Sequence, residues 1–240
     1  MKKRYIIFLV TLLAACSGTK DKDKLKEIDY EVEYSKVLYE IKKGNFYSAS
    51  EQLDNINLNC TRLNDKIMIL LAFSYYKSKQ YIDSLSTIEF FEKNFPLHSE
   101  MVYMKYLKIL NYFNRLEYVG KGAELASEGY SLCNEFLEKY KKSIYYNDVS
   151  EKMNIFKNYI VANELEVVRF NLARSNFVPA LKRLDYIRNN FDDNLYRDEV
   201  YYRYIEIYKY IGYDYNESLI NNIKSKEWKD LVKKLWLLFF

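Results

Sequence analysis

The sequence predicts an all-α chain of stacked helix pairs, and three observations carry that prediction. Helix breakers are scarce, with 6 Gly and 2 Pro among 240 residues, which favours helices joined by short turns. From Leu25 onward apolar residues recur at helical spacing. Val32, Val37, Leu38 and Ile41 form one stripe, Met68, Leu71, Ala72 and Tyr75 a second, and Val167, Val168 and Leu172 a third. The third observation is repetition: a turn, an aromatic, a small residue and two later apolar positions return along the chain. No sustained alternation bounded by hairpin turns competes with this pattern, so strands are not expected.

Ahead of the helices stands a processing segment. Lys2, Lys3 and Arg4 make a cationic start, and Tyr5 to Leu13 is an apolar run too short to span a bilayer as a permanent helix. Leu13-Ala14-Ala15-Cys16 then matches the lipobox of bacterial lipoproteins, in which the cysteine is diacylated and becomes the new N-terminus. Residues 1–15 are therefore read as a signal peptide and Cys16 as the lipidation site. Ser17 in the next position suits outer-membrane sorting. Residues 16–24 (CSGTKDKDK) are short, polar and charged, the composition of a flexible tether.

The repeats fill residues 25–225. Gly44-Asn45-Phe46-x-x-Ala49-x-x-x-Leu53-x-x-Ile56 is followed by Lys79-Gln80-Tyr81-x-x-Ser84-x-x-x-Ile88-x-x-Phe91, and their aromatics stand 35 residues apart. Ser175-Asn176-Phe177-x-x-Ala180-x-x-x-Leu184-x-x-Ile187 gives the pattern again. This spacing fits the second helix of a tetratricopeptide repeat, a unit of about 34 residues. The aromatic packs in the turn within the repeat, and the small residue lets two helices approach closely. The later apolar positions face the next repeat.

Two further units are weaker. Ala126, Gly129, Cys133 and Phe136 take the second-helix positions of the third. Ile205, Tyr208 and Gly212 suit the first helix of the fifth, but Glu217-Ser218-Leu219 fits only with a one-residue insertion. Helix starts are expected at Asn64-Asp65, Ser99, Asn147-Asp148 and Asn194, whose side chains can cap free N–H groups. About five repeats would stack into a solenoid with a concave face. Residues 226–240 follow, with Trp228, Leu231, Val232, Leu235 and Trp236 on one side of a capping helix and an apolar tail, Leu237 to Phe240.

Charge and cysteine usage narrow the function. The formal net charge of +4 includes three basic residues of the signal segment; 37 basic residues less 3 leave 34 against 33 acidic, a net of +1. That balance argues against nucleic acid as a partner. With Cys16 assigned to lipid, Cys60 and Cys133 remain; an oxidising periplasm would allow them to pair. Each reads more simply as a small apolar packing residue.

Catalysis needs converging groups, and few are present. His98 is the one histidine, and its place after Pro96 in a turn suits a solvated or capping role. No phosphate loop, GxSxG elbow or CxxC pair occurs. Glu164, Glu166, Asp192 and Asp193 read as solvated positions. No catalytic residue, no metal site and no cofactor beyond the covalent lipid on Cys16 is expected, so the chain reads as a binding protein and not an enzyme. The 26 tyrosines, clustered at Tyr75-Tyr76, Tyr103 to Tyr106 and Tyr201 to Tyr204, supply candidate interface side chains.

These features together resemble the BamD family, lipoproteins of the outer-membrane β-barrel assembly machinery. The resemblance runs from about Tyr30 to Leu219. Leu38-Tyr39-x-x-x-Lys42-Lys43-Gly44-Asn45-Phe46 looks like the family's opening repeat. Leu71 to Tyr76 and Phe95-Pro96-x-His98 look like the second repeat and its turn. Asn163 to Phe170, leading into Phe177 to Leu184, is the most specific stretch. The chain departs from the family where Lys79 and Ser175 replace turn glycines, and where Lys141 and Asp192 replace closing prolines.

The resemblance implies a lipid-anchored scaffold on the periplasmic face of the outer membrane. Its C-terminal repeats would dock a POTRA domain of a BamA-like insertase, with Arg183, Tyr201 and Arg203 facing it. Its N-terminal groove, with Tyr39, Tyr75 and Tyr76, would receive segments of unfolded outer-membrane proteins. Other assembly-complex lipoproteins would be further partners. Two rival readings share the address: a tetratricopeptide pilotin for type IV pilus secretins, and a glycan-uptake lipoprotein using groove aromatics.

Overall fold

The computed structural model describes residues 30–59, 65–116, 122–213 and 218–237. The expectations for the signal peptide, Cys16, the tether, Cys60 and the tail beyond 237 lie outside them. The described residues form eleven helices and no strand. They are α1 (Tyr30–Lys43), α2 (Phe46–Asn59), α3 (Asp65–Lys77), α4 (Tyr81–Asn94), α5 (Met101–Asn114), α6 (Ala123–Lys139), α7 (Tyr146–Leu172), α8 (Phe177–Phe191), α9 (Arg197–Tyr210), α10 (Ser218–Asn222) and α11 (Lys226–Leu237). Each packs on its successor up to α10, and α11 packs on α9. This is the all-α solenoid of helix pairs expected from the repeats.

The turns within four of the repeats are made by one recurring cap. The N–H of Gly44 donates to Ile41 O (3.0 Å) and that of Asn45 to Glu40 O (2.9 Å). Lys79 and Gln80, Ser175 and Asn176, and Gly212 and Tyr213 make the same pair of bonds. These are Schellman caps, whose penultimate residue must turn left-handed. Gly44 and Gly212 do so with φ of 82° and 68°, and Lys79 and Ser175 with 66° and 56°. The two departures from glycine therefore keep the turn and hold a side chain in a strained region.

Behind these turns the small residues do what the pattern requires. Ala49, Ser84, Ala126 and Ala180 are fully buried, and the Ser84 hydroxyl donates to the carbonyl of Ala72 across the pair (2.9 Å). The third repeat is as regular inside as the others. Ala126, Gly129, Cys133 and Phe136 are all buried, and a Cβ on Gly129 would meet the Phe156 ring at 2.4 Å. Cys133 is a free thiol pushed up to about 12 by burial.

The turns between repeats have their own signature. His98 Nδ1 accepts from the N–H of Glu100 (3.0 Å), Ser143 Oγ from that of Tyr145 (3.1 Å), and Asn194 Oδ1 from that of Tyr196 (2.7 Å). Each capping residue stands three after an aromatic: Phe95, Tyr140 and Phe191. Ser99 and Asn147 do not bond the backbone as expected, whereas Asn194 does and Asp65 Oδ1 accepts the N–H of Lys66 at the start of α3 (2.8 Å); Asn64 lies outside the described residues. Asp148, two residues inside α7, instead accepts from Lys152 and Tyr106. His98 also bonds Asp65 Oδ2 through Nε2 (2.9 Å). The backbone N–H of Lys66 and the His98 ring hold the Asp65 carboxyl below its usual range.

The core is a chain of clusters along the stack, as a repeat architecture requires. One joins repeats one and two, another two and three, the largest three to five, and the last lies under α11. The fifth repeat departs from the pattern. Its second helix is reduced to five residues, and Ile223, Val232 and Leu235 cover Tyr201 and Ile205 instead. Both carboxylate oxygens of Asp198 take the N–H groups of Lys224 and Ser225 (2.9 and 2.7 Å), fixing the start of α11.

Candidate functional site

The first helices of successive repeats touch one another, α3 on α5 and α5 on α7, and form the inner wall. Tyr75 and Tyr76 lie on α3 of this wall, and Tyr39 lies on α1. Tyr39 is 57% exposed, with Lys43 Nζ 4.2 Å above its ring. Tyr75 is half-buried against the core of repeats one and two, and burial pushes its phenol up. Tyr76 packs on Tyr81 and accepts from Asn114 Nδ2 of α5 (3.0 Å). Tyr39 is thus largely exposed, whereas Tyr75 and Tyr76 are partly committed to joining repeats. Tyr106 is committed too: it stacks on Tyr145 at 4.1 Å and donates to Asp148 (2.8 Å).

On α8 the buried face is Ala180, Leu184, Ile187 and Phe191. Its outer face carries Val178, Pro179, Lys182, Arg183 and Tyr186, lining a shallow depression of about 420 Å³. Arg183 is exposed and held by Glu164 of α7 at 3.2 Å. An exposed pair of this kind is worth about 0–1 kcal/mol, so the guanidinium can exchange Glu164 for a partner's carboxylate. Lys182 beside it makes the patch cationic, and Val178 and Tyr186 give it apolar area.

The other two residues expected to face the insertase are placed differently. Tyr201 is only 5% exposed, packed under α11, with its hydroxyl donating to Asp192 (2.8 Å). It supports the end of the solenoid and presents no face to a partner, because the helix after it folds back across it. Arg203 is mostly buried, bonding Glu199 at 3.2 Å and Glu206 at 2.7 Å.

Arg169, which sequence reasoning did not single out as a site residue, completes this network. Its Nε and Nη2 donate to both oxygens of buried Glu199 (2.9 and 2.7 Å), and Nη1 reaches Glu166. The Glu199 bonds raise the Arg169 pKa further. With Leu172, Ala173, Ser175, Phe177 and Tyr210, the two arginines and Glu206 line a groove of about 410 Å³. The signal that could have found it is the helical spacing Glu199-x-x-x-Arg203-x-x-Glu206.

Among the described residues no cluster of His, Cys, Asp and Glu could hold a metal ion, and no helix is long and apolar enough to cross a membrane.

A family model described as YfiO, outer membrane lipoprotein, matches residues 26–221, from α1 into α10. The chain belongs to this family. Its similarity to YfiO-family relatives is broad and low in identity. The outer membrane protein assembly factor BamD of Xylella fastidiosa (strain Temecula1) is 23% identical over 225 residues, covering 89% of this chain and 76% of the relative. That of Neisseria gonorrhoeae is 26% identical over 218 residues, covering 83% and 81%. That of Rickettsia prowazekii is 19% identical over 237 residues, covering 96% and 94%.

Proposed function

We propose that the chain is a non-catalytic scaffold of outer-membrane protein assembly, held by lipid on Cys16 at the periplasmic face of the outer membrane. The observation that carries this reading is the family match across α1 to α10, with relatives named as assembly factors over most of their length. Two or more acyl chains give durable anchoring where one is marginal.

In this reading the exposed face of α8 docks a POTRA domain of a BamA-like insertase. Arg183 leaves Glu164 for a partner carboxylate, and Val178 and Tyr186 supply apolar area. Arg203 and Arg169, clamped by Glu199, stiffen the α7–α9 junction behind that face. The wall of repeats one and two, with Tyr39 its most exposed aromatic, holds extended segments of unfolded outer-membrane proteins. Positioning is the whole mechanism: several weak contacts keep a client near the insertase, and no bond is made or broken. Other lipoproteins of the complex complete the assembly.

The test is co-purification of the insertase with Arg183→Glu. The variant should lose most of the partner while its helicity stays unchanged. If it binds as well as the parent chain, at low and raised salt alike, the contact is wrong.

A further inference from the structure

The most exposed large aliphatic side chains among the described residues are Leu97 (98%) and Ile144 (88%). Both sit in turns between repeats, 95–100 and 140–145. Short turns make neighbouring helices antiparallel, so these turns and the starts of the first helices share one edge of the solenoid. Two contacts along the edge agree: the His98–Asp65 bond ties the turn before α5 to the start of α3. Tyr145, in the turn before α7, stacks on Tyr106 and lies 6.2 Å from Tyr103 near the start of α5.

The start of α1 at Tyr30 belongs to this same edge, and Tyr30 is fourteen residues from Cys16. Even fully extended, that segment reaches no more than about 50 Å. Lysines gather beside the two aliphatics. Lys93, Lys139, Lys141 and Lys142 are exposed there, against the carboxylates of Glu100 and Glu138. Aliphatic tips ringed by lysine are the composition of a surface resting on anionic headgroups.

We propose that this edge is a second membrane contact, with Leu97 and Ile144 entering the headgroup region and Lys139, Lys141 and Lys142 meeting anionic lipid. The inference rests on the lipid anchor at Cys16 proposed above. It makes the anchored solenoid stand on its inter-repeat edge, with the α8 face and the inner wall turned sideways. Leu195, on the next such turn, is not part of the contact. Its N–H donates to Asn158 Oδ1 (2.9 Å), twelve residues into α7, so it is set back by about 18 Å.

The test uses the full lipidated chain on vesicles containing phosphatidylglycerol. An environment-sensitive fluorescent amino acid is placed at position 97 or 144, or at 77 or 173 on the opposite edge. Emission at 97 and 144 should shift to the blue and be lost with quencher-bearing lipids, while 77 and 173 respond to neither. Lys141→Glu with Lys142→Glu should reduce the shift. Flotation of the chain beside Cys16→Ser reads the anchor separately. A chain that floats with 97 and 144 unquenched, or with all four positions quenched alike, overturns the edge contact alone. A chain that does not float overturns the anchor and the edge contact with it.

Discussion

Gly129→Ala probes a close helix approach in the solenoid. Gly129 lies on α6 against Phe156 of α7, and an added Cβ would stand 2.4 Å from Cε1 and Cζ of that ring and 2.9 Å from Cδ1. Ordinary contact begins about 1 Å further out. The ring cannot swing away, because Phe156 is fully buried and meets Phe113 edge-on at 5.9 Å. Overpacking of this kind costs about 1–3 kcal/mol. Replacing a helical glycine by alanine returns about 1 kcal/mol. The net expectation is a loss of up to about 2 kcal/mol, at about 2–4 °C of Tm per kcal/mol for a chain of this size. Denaturant unfolding followed by far-UV circular dichroism measures it, and Phe156→Leu in the same chain should recover part of the loss. A gain in stability from Gly129→Ala, as at an open helix position, would refute the close approach.

Three further perturbations follow from the same geometry. Lys79→Gly and Ser175→Gly each remove a side chain from the left-handed region, a relief of about 1–2 kcal/mol against about 0.4–1 kcal/mol of added unfolded-state freedom. Both should raise Tm slightly, and a clear fall in either would contradict the strained cap. Glu199→Gln leaves Arg169 and Arg203 without their shared carboxylate. Breaking a buried pair costs about 3–5 kcal/mol, and partial exposure of both arginines brings this to about 2 kcal/mol, read by chemical denaturation. Finally, burial pushes the Tyr103 and Tyr112 phenols from 10.0 to about 12. The unfolded chain ionises first, so stability is fully held below 10 and falls as pH climbs towards 12. An unfolding free energy that stays level across that window would contradict their burial.

Much of this fold was legible in the sequence because its signals are local and repeated. Ala49, Ser84 and Ala180 sit where helices must meet, and their spacing from the turn aromatics is set by one helix geometry. Even the weak third unit was readable, since Gly129 and Cys133 fall on the buried stripe. What escaped was decided by tertiary neighbours. Ser143, four residues ahead of Asn147, takes the backbone N–H of Tyr145 because the turn geometry returns its side chain there, a choice between neighbouring capping residues that local preference does not make. Tyr201 looked like interface on composition, but α11 folds back over it, a long-range event with no mark in its local pattern. Arg169 was hidden because its partner Glu199 lies thirty residues away.

Crosslinking in intact cells tests most directly the proposal that the exposed face of α8 meets an insertase. A photo-crosslinking amino acid at Lys182 or Tyr186, beside Arg183, should capture a POTRA-containing barrel protein. The same probe at Val200, buried in the core, should capture nothing. Capture of only a pilus secretin or a sugar transporter from the α8 positions would contradict the account.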